Sequence, residues 1–320
     1  MDKLVIGIDY GSSTNFVTKY DFDKKDALPV HNMGSYGSSN IFENCLYIES
    51  DTNHIIGNRG KHFSDPENFF EDIKRNITNP NWKRVVPNLG NREFSSVDIA
   101  SLVFAEIKRK VEENYGGQSI DGAVITVPYT YGDKYKQLIK EASEQAGIPV
   151  INLIEEPVAA AISFGLFSDE IENGKREKVV VFDLGGGTFD VTVFAFQKSD
   201  GQNAKIEVLN TDGVKELGGK VIDQLIADKL KEKLNIENIS DIAKGKEADK
   251  LQAQLLKVAR ELKENLSEYE EDEVYETFSI NGQNVVLEEE ISQDEYHGWL
   301  KDNNILGEIE KGMKKINALE

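Results

Sequence analysis

The apolar and polar positions of the chain alternate between strand-like runs and helical stripes. An apolar run at residues 4–8 predicts a short buried strand, and after a turn at 11–14 a second strand is expected at about 15–20. The longest strand-like pattern covers residues 179–196. Residues 25–40 are rich in Gly, Ser and Asn and predict a loop.

Helical stripes separate these strands. After Ser95, apolar residues at helical spacing predict a helix that Gly116 and Gly117 end; they are Ile99, Val103, Ile107 and Val111. Further helices are predicted at about 133–145, 158–165, 219–234, 246–268 and 303–317, and further strands at 123–127 and 150–154. Residues 41–90 mix short strands with a helical stretch near 66–77 and predict an insertion with little core of its own. The alternation of strands and helices favours an α/β fold with mixed sheets.

The composition adds size, partners and compartment to this picture. With 320 residues, of which 39% are apolar and 29% charged, the chain is long enough for two lobes. Its net charge of −20 disfavours nucleic acid and anionic membrane surfaces as partners. The single cysteine, Cys45, excludes an intrachain disulfide, and no signal-peptide or membrane-span pattern is present. We therefore expect a cytoplasmic protein, and a monomer.

One sequence pattern occurs twice, roughly half a chain apart. Residues 6–17 read IGIDYGSSTNFV and residues 180–191 read VVFDLGGGTFDV, so that Asp9 aligns with Asp183. Both copies run from an apolar strand through Asp, an apolar residue, Gly and two small residues into a second strand. The simplest account is one supersecondary unit used once in each lobe, with both copies facing one ligand across a cleft.

The residue types of this pattern suit a polyphosphate with a divalent cation. Glycines let a turn approach phosphate oxygens closely, and successive N–H groups converge on an anion. Ser12, Ser13 and Thr188 add hydroxyl donors. Asp9 and Asp183 would repel phosphates alone, so we expect Mg²⁺ between them, held through water because Mg²⁺ keeps most of its waters. Taken singly, each loop is equally compatible with an ordinary hairpin turn.

Other phosphate-binding motifs are incomplete. The nearest approach to a P-loop, Gly218-Gly219-Lys220, is followed by Val221 rather than Ser or Thr, and its first glycine is missing. No Gly-x-Gly-x-x-Gly opens a helix, so a dinucleotide-binding fold has no support.

Five segments resemble the nucleotide-binding domain of Hsp70 chaperones and stand in that family's order. They are residues 9–13, 125–128, 156–161, 182–191 and 217–219. The resemblance implies a duplicated actin-like (ribonuclease H-like) ATPase fold of the α/β class. Each of its two lobes would hold a mixed sheet flanked by helices and a smaller inserted subdomain.

The resemblance also implies where the two lobes divide. Lobe I is expected at residues 1–170, with a core at 1–37 and 95–170 and an inserted subdomain at 38–94. Lobe II is expected at 171–320, with a core at 171–212 and about 300–320 and an inserted subdomain at 213–299.

Roles for single residues follow from the same resemblance. Asp9 and Asp183 would order the Mg²⁺ shell. Lys74 matches the family's catalytic lysine, Glu156 a glutamate that orients water and cation, and Asp190 is a further candidate for positioning water. The phosphate-binding positions are Gly11, Ser12, Ser13, Gly185, Gly186, Gly187, Thr188, Gly218 and Gly219. The adenosine-binding positions are Arg260, Lys263, Glu264 and Ser267.

Some positions near this set carry other expectations. Glu155 is interpreted as a helix-start carboxylate that interacts with the helix dipole. Pro128 and Lys136 match positions that relay the nucleotide state to a substrate domain. Glu264 stands where the family usually has an arginine stacked on adenine, and an acidic residue cannot supply that cation–π contact. The family's late adenosine loop, linker and peptide-binding domain do not occur before Glu320, which predicts a truncated chain or a shortened homologue.

Several functions are compatible with this reading. The first hypothesis is a chaperone ATPase domain that binds Mg-ATP between its lobes and hydrolyses it to ADP and phosphate. Its partners would be nucleotide, a co-chaperone, a nucleotide-exchange factor and, through a further domain, client polypeptides. Alternatives on the same fold are an actin-like nucleotide-dependent filament or scaffold protein and a sugar or small-acid kinase. A fourth hypothesis is weak nucleotide binding because the adenosine wall is incomplete.

Overall fold

The computed structural model describes residues 3–34, 40–57, 65–167, 174–197, 205–214, 216–280 and 282–317. The strands are β1 (Val5–Tyr10), β2 (Thr14–Asp21), β3 (Asp26–Pro29), β4 (Ile41–Glu43), β5 (Leu46–Ser50), β6 (Asn53–Ile56), β7 (Phe69–Phe70), β8 (Lys83–Val86), β9 (Arg92–Ser95), β10 (Gly122–Val127), β11 (Val150–Glu155), β12 (Arg176–Leu184), β13 (Phe189–Gln197), β14 (Lys205–Val214), β15 (Glu271–Ile280) and β16 (Gln283–Ser292). The helices are α1 (Ile73–Asn76), α2 (Ser96–Asn114), α3 (Asp133–Gln145), α4 (Glu156–Phe167), α5 (Gly219–Lys233), α6 (Ile239–Ile242), α7 (Lys246–Asn265), α8 (Gln293–Asp302) and α9 (Ile305–Asn317).

A six-stranded mixed sheet forms the centre of the first lobe. Its order is β11-β10-β1-β2-β3, and β4 also pairs with β2. Strands β1 and β2 form an antiparallel hairpin, whereas β10 lies parallel to β1. Alternate residues of β1 face the core, so that Ile6, Ile8 and Tyr10 are at most 1% exposed. The apolar stripe of α2 packs into the same core, and a reciprocal bond pair between Ser95 and Asp98 caps the start of that helix.

The second lobe repeats the hairpin on a smaller sheet. Strands β12, β13 and β14 form an antiparallel meander in which Asp183 of β12 lies opposite Asp190 of β13. Helix α9 packs on β13 and β14, and α5, α7 and the β15–β16 hairpin complete a second apolar core. Two cores, each built on a copy of the same hairpin, confirm the predicted duplication and the α/β class.

The two copies differ in how far their first strand is covered. Val180 and Phe182 of β12 occupy the places that Ile6 and Ile8 hold in β1, yet they are 49% and 47% exposed. Their partners across the hairpin, Val193 and Val191, are buried. In the described residues no strand pairs with β12 as β10 pairs with β1.

Helix α4 connects the lobes rather than belonging to one core. It follows β11 of the first lobe, but Ala161 packs with Phe194 and Phe196 of the second lobe's sheet. Residues 168–173, where the lobe boundary was predicted, lie outside the described residues.

Most predicted helices agree with the structure, and α3 spans the predicted residues 133–145. The loop predicted at 25–40 is wrong in part, because Asp26–Pro29 pairs with β2 as an edge strand; residues 35–39 are not described. The helical stretch near 66–77 is wrong: a 3₁₀ turn at Pro66–Asn68 leads into β7, and only α1 is α-helical.

One further expectation needs correction, and three strands were missed. The 41–90 insertion shares the first core, to which Phe42, Leu46 and Phe70 belong. Strand β14 and the β15–β16 hairpin were not predicted. In the described part of the chain, no helix is long and apolar enough to cross a membrane.

Candidate active site

The two hairpin turns of the repeat lie against each other at the interface of the lobes. A side chain on Gly186 would overlap Ser13 Oγ and lie 2.7 Å from Ser13 Cβ. A Cβ on Gly187 would lie 3.1 Å from Ser12 Oγ. Gly186 and Gly187 therefore allow the close approach of the first turn. Four predicted phosphate-binding positions are thus brought together: Ser12, Ser13, Gly186 and Gly187.

A third segment supports the second turn. The backbone N of Gly219 donates to Gly185 O and that of Lys220 to Gly186 O, both at 2.9 Å. A Cβ on Gly218 would lie 2.6 Å from Gly185 O and 2.8 Å from Gly187 N, so this position also requires glycine. The predicted Gly218-Gly219 pair thus buttresses the turn and opens α5 directly beside it.

Asp9, at the end of β1, is oriented by a residue that the sequence did not single out. Thr126 Oγ1, on the parallel strand β10, donates to Asp9 Oδ1 at 2.7 Å and accepts from the backbone N of Tyr10 at 3.1 Å. Asp9 itself is exposed. Thr126 lies in the segment 125–128 that resembles Hsp70, but no role was predicted for it from the sequence.

Lys74 and Glu156 form a buried ion pair. Lys74 lies on the one-turn helix α1 and is 2% exposed, and its Nζ hydrogen-bonds Glu156 Oε1 at the start of α4. Burial raises the pKa of Glu156, Lys74 opposes that shift, and the nearby carboxylates of Asp9 and Asp183 add to it. A lysine this deeply buried needs such a partner.

The paired strands β12 and β13 carry two carboxyl groups into the same region. Burial raises the pKa of Asp183, while Lys74 lowers it and Asp9 raises it. Burial also raises the pKa of Asp190 to about 6. A hydrogen bond from Thr188 opposes this shift, and the nearby Asp183 adds to it. Among the described residues, Asp190 Oδ1 is a buried oxygen without a hydrogen-bond partner.

This set of groups suits a hydrated cation more than a directly ligated one. Within the described ranges, no three His, Cys, Asp or Glu residues are arranged to hold a metal ion directly. Four carboxyl groups nevertheless influence one another around a single lysine, and one of their oxygens is buried without a donor. A cation that keeps its waters would relieve both the mutual repulsion and the unpaired oxygen.

The expected adenosine wall is only partly assembled. Arg260 and Lys263 on α7 both pair with the buried Asp223 of α5, and Lys263 Nζ reaches Gly219 O at 3.3 Å. Asp223 was missed because its role depends on two residues almost forty positions away. Glu264 and Ser267 are exposed, and the Ser267 hydroxyl donates to Lys263 O rather than into the cleft.

A cavity of about 530 Å³ opens between the lobes next to this wall. Its lining includes Arg260 and Asp223 from the second lobe, Asp72 and Arg75 from the first, and the apolar side chain of Leu256. A mixed charged and apolar lining of this volume is typical of a small-molecule site.

Glu155 differs from its predicted role. It is the last residue of β11, and its carboxylate accepts a hydrogen bond from Lys136 Nζ at 2.6 Å. That bond lowers the pKa of Glu155. An ion pair with α3, rather than the dipole of α4, therefore holds this carboxylate.

Sequence comparison agrees with this geometry. A family profile described as Hsp70 protein matches residues 6–316 of the chain. The chain belongs to the Hsp70 family. The chaperone protein DnaK of Endomicrobium trichonymphae is 32% identical over 260 residues, which are 80% of this chain and 39% of that protein. The chain thus spans about two fifths of the length of this Hsp70-family relative, and both the family and the actin-like fold predicted from its motifs are confirmed.

Proposed function

We propose that this Hsp70-family chain binds Mg-ATP between its lobes and hydrolyses it to ADP and phosphate. The observation that carries the proposal is the contact between the two glycine turns, with Lys74 and four carboxyl groups gathered beside them. Turn N–H groups and hydroxyls from both lobes supply donors for a polyphosphate, and the lysine supplies the compensating charge.

The phosphate chain is proposed to lie along the two turns. Gly11, Ser12 and Ser13 would hold it from the first lobe, and residues 185–188 from the second. Gly219 supports the second turn through its backbone N–H, and Gly218 lies in close contact with that turn. Because both turns are needed for one ligand, phosphate binding favours the closed arrangement of the lobes.

Hydrolysis is proposed to depend on positioning and charge. Lys74 neutralises charge on the terminal phosphate, while Glu156 and Asp190 orient the attacking water. The water oxygen bonds to the terminal phosphorus, the bond to the oxygen of the leaving ADP breaks, and the released proton passes to a carboxylate or to solvent. Each such group typically contributes about 100- to 1,000-fold to the rate.

Asp9 and Asp183 are the residues proposed to hold Mg²⁺ through its waters. The ion would supply charge neutralisation for the phosphates. The Thr126 hydroxyl fixes the orientation of the Asp9 carboxylate. Burial and the neighbouring Asp9 both raise the pKa of Asp183, and a bound cation would favour its ionised form.

The nucleoside is proposed to enter the 530 Å³ cavity along the face of α7. Arg260 and Lys263 lie at this side, held by Asp223, and would contact the ribose and its neighbouring phosphates. Glu264 offers no stacking cation for the base, so we expect weak selectivity for adenine over guanine at this wall. We further propose that this domain serves a chaperone cycle in the cytoplasm, with a co-chaperone, an exchange factor and client polypeptides as partners.

Phosphate release from ATP tests the proposal directly. The purified chain with Mg²⁺ and ATP, and no added acceptor, should release phosphate. Lys74→Ala should release it at least about 100-fold more slowly. Lys301→Ala, an exposed lysine at the end of α8, is the matched control and should behave as the wild type. Formation of ADP without free phosphate, and only after addition of a sugar or small acid, would favour a kinase. ATP-dependent light scattering would favour a filament.

A further inference from the structure

Lys220 joins two parts of the candidate site that belong to different lobes. Its backbone N donates to Gly186 O at 2.9 Å, which fixes it to the second phosphate turn. Its side chain crosses the cleft, and Nζ forms an ion pair with Asp72 Oδ1 of the first lobe. The Lys220 side chain is 18% exposed and that of Asp72 is 37% exposed, so solvent screens this pair less than a fully exposed one.

Asp72 immediately precedes the helix that carries Lys74. It occupies the residue before α1 in the left-handed conformation, with φ 55° and ψ 24°, and its side chain does not cap the helix. An Asp at the N-cap of a helix normally accepts a hydrogen bond from a backbone N–H of the first turn. Here the carboxylate is instead directed across the cleft to Lys220.

Helix α1 depends on its contacts for its position. A single turn of four residues is too short to be stable alone, so tertiary contacts decide where it lies. Ile73 is buried in the first core, and the Tyr135 hydroxyl donates to Lys74 O at 3.3 Å. The Asp72–Lys220 pair is the contact that ties this turn to the second phosphate loop.

Other ion pairs cross between the lobes but lack this connection. Lys246 and Glu67 pair at 3.0 Å with side chains 66% and 43% exposed. Arg75 and Glu216 pair at 2.8 Å with both side chains more than half exposed. In the described part of the chain, no residue of either pair makes a backbone hydrogen bond to a phosphate turn.

We propose that the Asp72–Lys220 pair positions Lys74 for hydrolysis according to the geometry of the second phosphate turn. When that turn shifts to hold the terminal phosphate, Lys220 moves with it and draws α1, and thus Lys74, into place. Lys220 and Asp72 are positioning residues, and Lys74 remains the group that contacts substrate. The inference rests on the proposed ATP hydrolysis.

Single-turnover hydrolysis with the protein in saturating excess over Mg-ATP tests this, because the rate constant is then independent of affinity. Lys220→Met and Asp72→Asn should each lower it about five- to tenfold, and the double variant should be no slower than either single variant. Asparagine is chosen because it tolerates the left-handed backbone. Lys220→Arg should restore most of the rate. ATP affinity is measured separately by titration.

Lys246→Met and Glu67→Gln are the matched controls, since they remove an interlobe ion pair of the same kind elsewhere. Both should hydrolyse ATP within about twofold of the wild type. Melting temperatures within about 2 °C of wild type confirm that the variants are folded. If Lys220→Met is not folded, the rate constants of Lys220→Arg and Asp72→Asn decide whether the ion pair positions Lys74.

Three results would overturn the inference while leaving the proposed function intact. These are unchanged rate constants in a wild type that hydrolyses ATP, effects on affinity alone, or additive losses in the double variant. Absence of hydrolysis in the wild type would instead reject the proposed function, and this inference with it.

Discussion

Asp190 is the residue whose environment opposes its ionisation most clearly. Its carboxyl pKa rises from 3.8 to about 6, chiefly because the group is buried. Between pH 3.8 and about pH 6, Asp190 is protonated in the folded protein and ionised in the unfolded chain. The group therefore favours folding below about pH 4, and this contribution is lost as the pH rises through 6. At neutral pH, the ionised Asp190 destabilises the fold, as is common for functional carboxylates.

Replacing Asp190 by asparagine should therefore stabilise the protein at pH 7.5. We expect the free energy of unfolding of Asp190→Asn to rise by about 1–2 kcal/mol, after allowance for solvent screening, because the charged form is no longer buried. At pH 4 the difference should vanish. Urea denaturation at both pH values measures it, with the exposed Asp302→Asn as control. A destabilised variant at pH 7.5 would contradict the assignment.

The same pKa predicts how activity depends on pH. Asp190, Asp183 and Glu156 all have raised pKa values, and the proposed roles require their ionised forms. The hydrolysis rate should therefore fall as the pH drops through about 6. A pH–rate profile checks this, and a rate that stays constant down to pH 4.5 would show that no carboxylate with a raised pKa takes part.

Residues that repeat in sequence could be predicted, whereas residues defined by tertiary partners could not. Asp9 and Asp183 were found because matched flanks identify them twice. Asp223 was not, since an aspartate in a helix has no distinguishing local pattern. Thr126 lies in a segment that was identified, but its contact with Asp9 depends on the pairing of β1 with β10. Lys74 was identified by resemblance alone, because its burial depends on Glu156, 82 residues away.

At the scale of elements, the close contact of two glycine turns is the decisive feature. Gly186→Ala should push the turns apart, because its Cβ would overlap the Ser13 side chain and lie 3.3 Å from Ser13 N. We expect ATP affinity to fall at least tenfold, with little change in the melting temperature, since the steric conflict lies at an interface between lobes.

Gly298→Ala in α8 is the control for this substitution. No atom lies within 4 Å of its Cβ, and alanine favours helix by about 1 kcal/mol over glycine. This variant should bind ATP normally and be equally or more stable. Normal ATP affinity in Gly186→Ala would show that phosphates do not bind between the turns.

Elements were predictable where their pattern was long and regular. The capped, striped helix α2 and the helix α3 were located closely, because burial of one face imposes helical spacing. Strand β3 was missed because three of its four residues are exposed or polar and it pairs only at the sheet edge. The β15–β16 hairpin is rich in glutamate on its outer face, which masked its alternating buried positions.

At the scale of the whole molecule, a duplicated unit has diverged between the lobes. Ile6 and Ile8 of β1 are buried, while Val180, Phe182 and Leu184 of β12 keep 40–49% of their surface exposed. Ion pairs cross the cleft beside the cavity, and all three involve exposed or partly exposed side chains. An interface of this kind stabilises the closed arrangement only weakly and leaves ligand binding to set the balance between open and closed states.

The central claim is that two copies of one turn form a single Mg-ATP site. Calorimetric titration of the 320-residue chain with ATP, in Mg²⁺ and in EDTA, tests it most directly. We predict one ATP bound per chain, with affinity that falls when Mg²⁺ is removed and falls further in Gly186→Ala. The absence of binding under both conditions, or binding that Gly186→Ala leaves unchanged, would contradict the account.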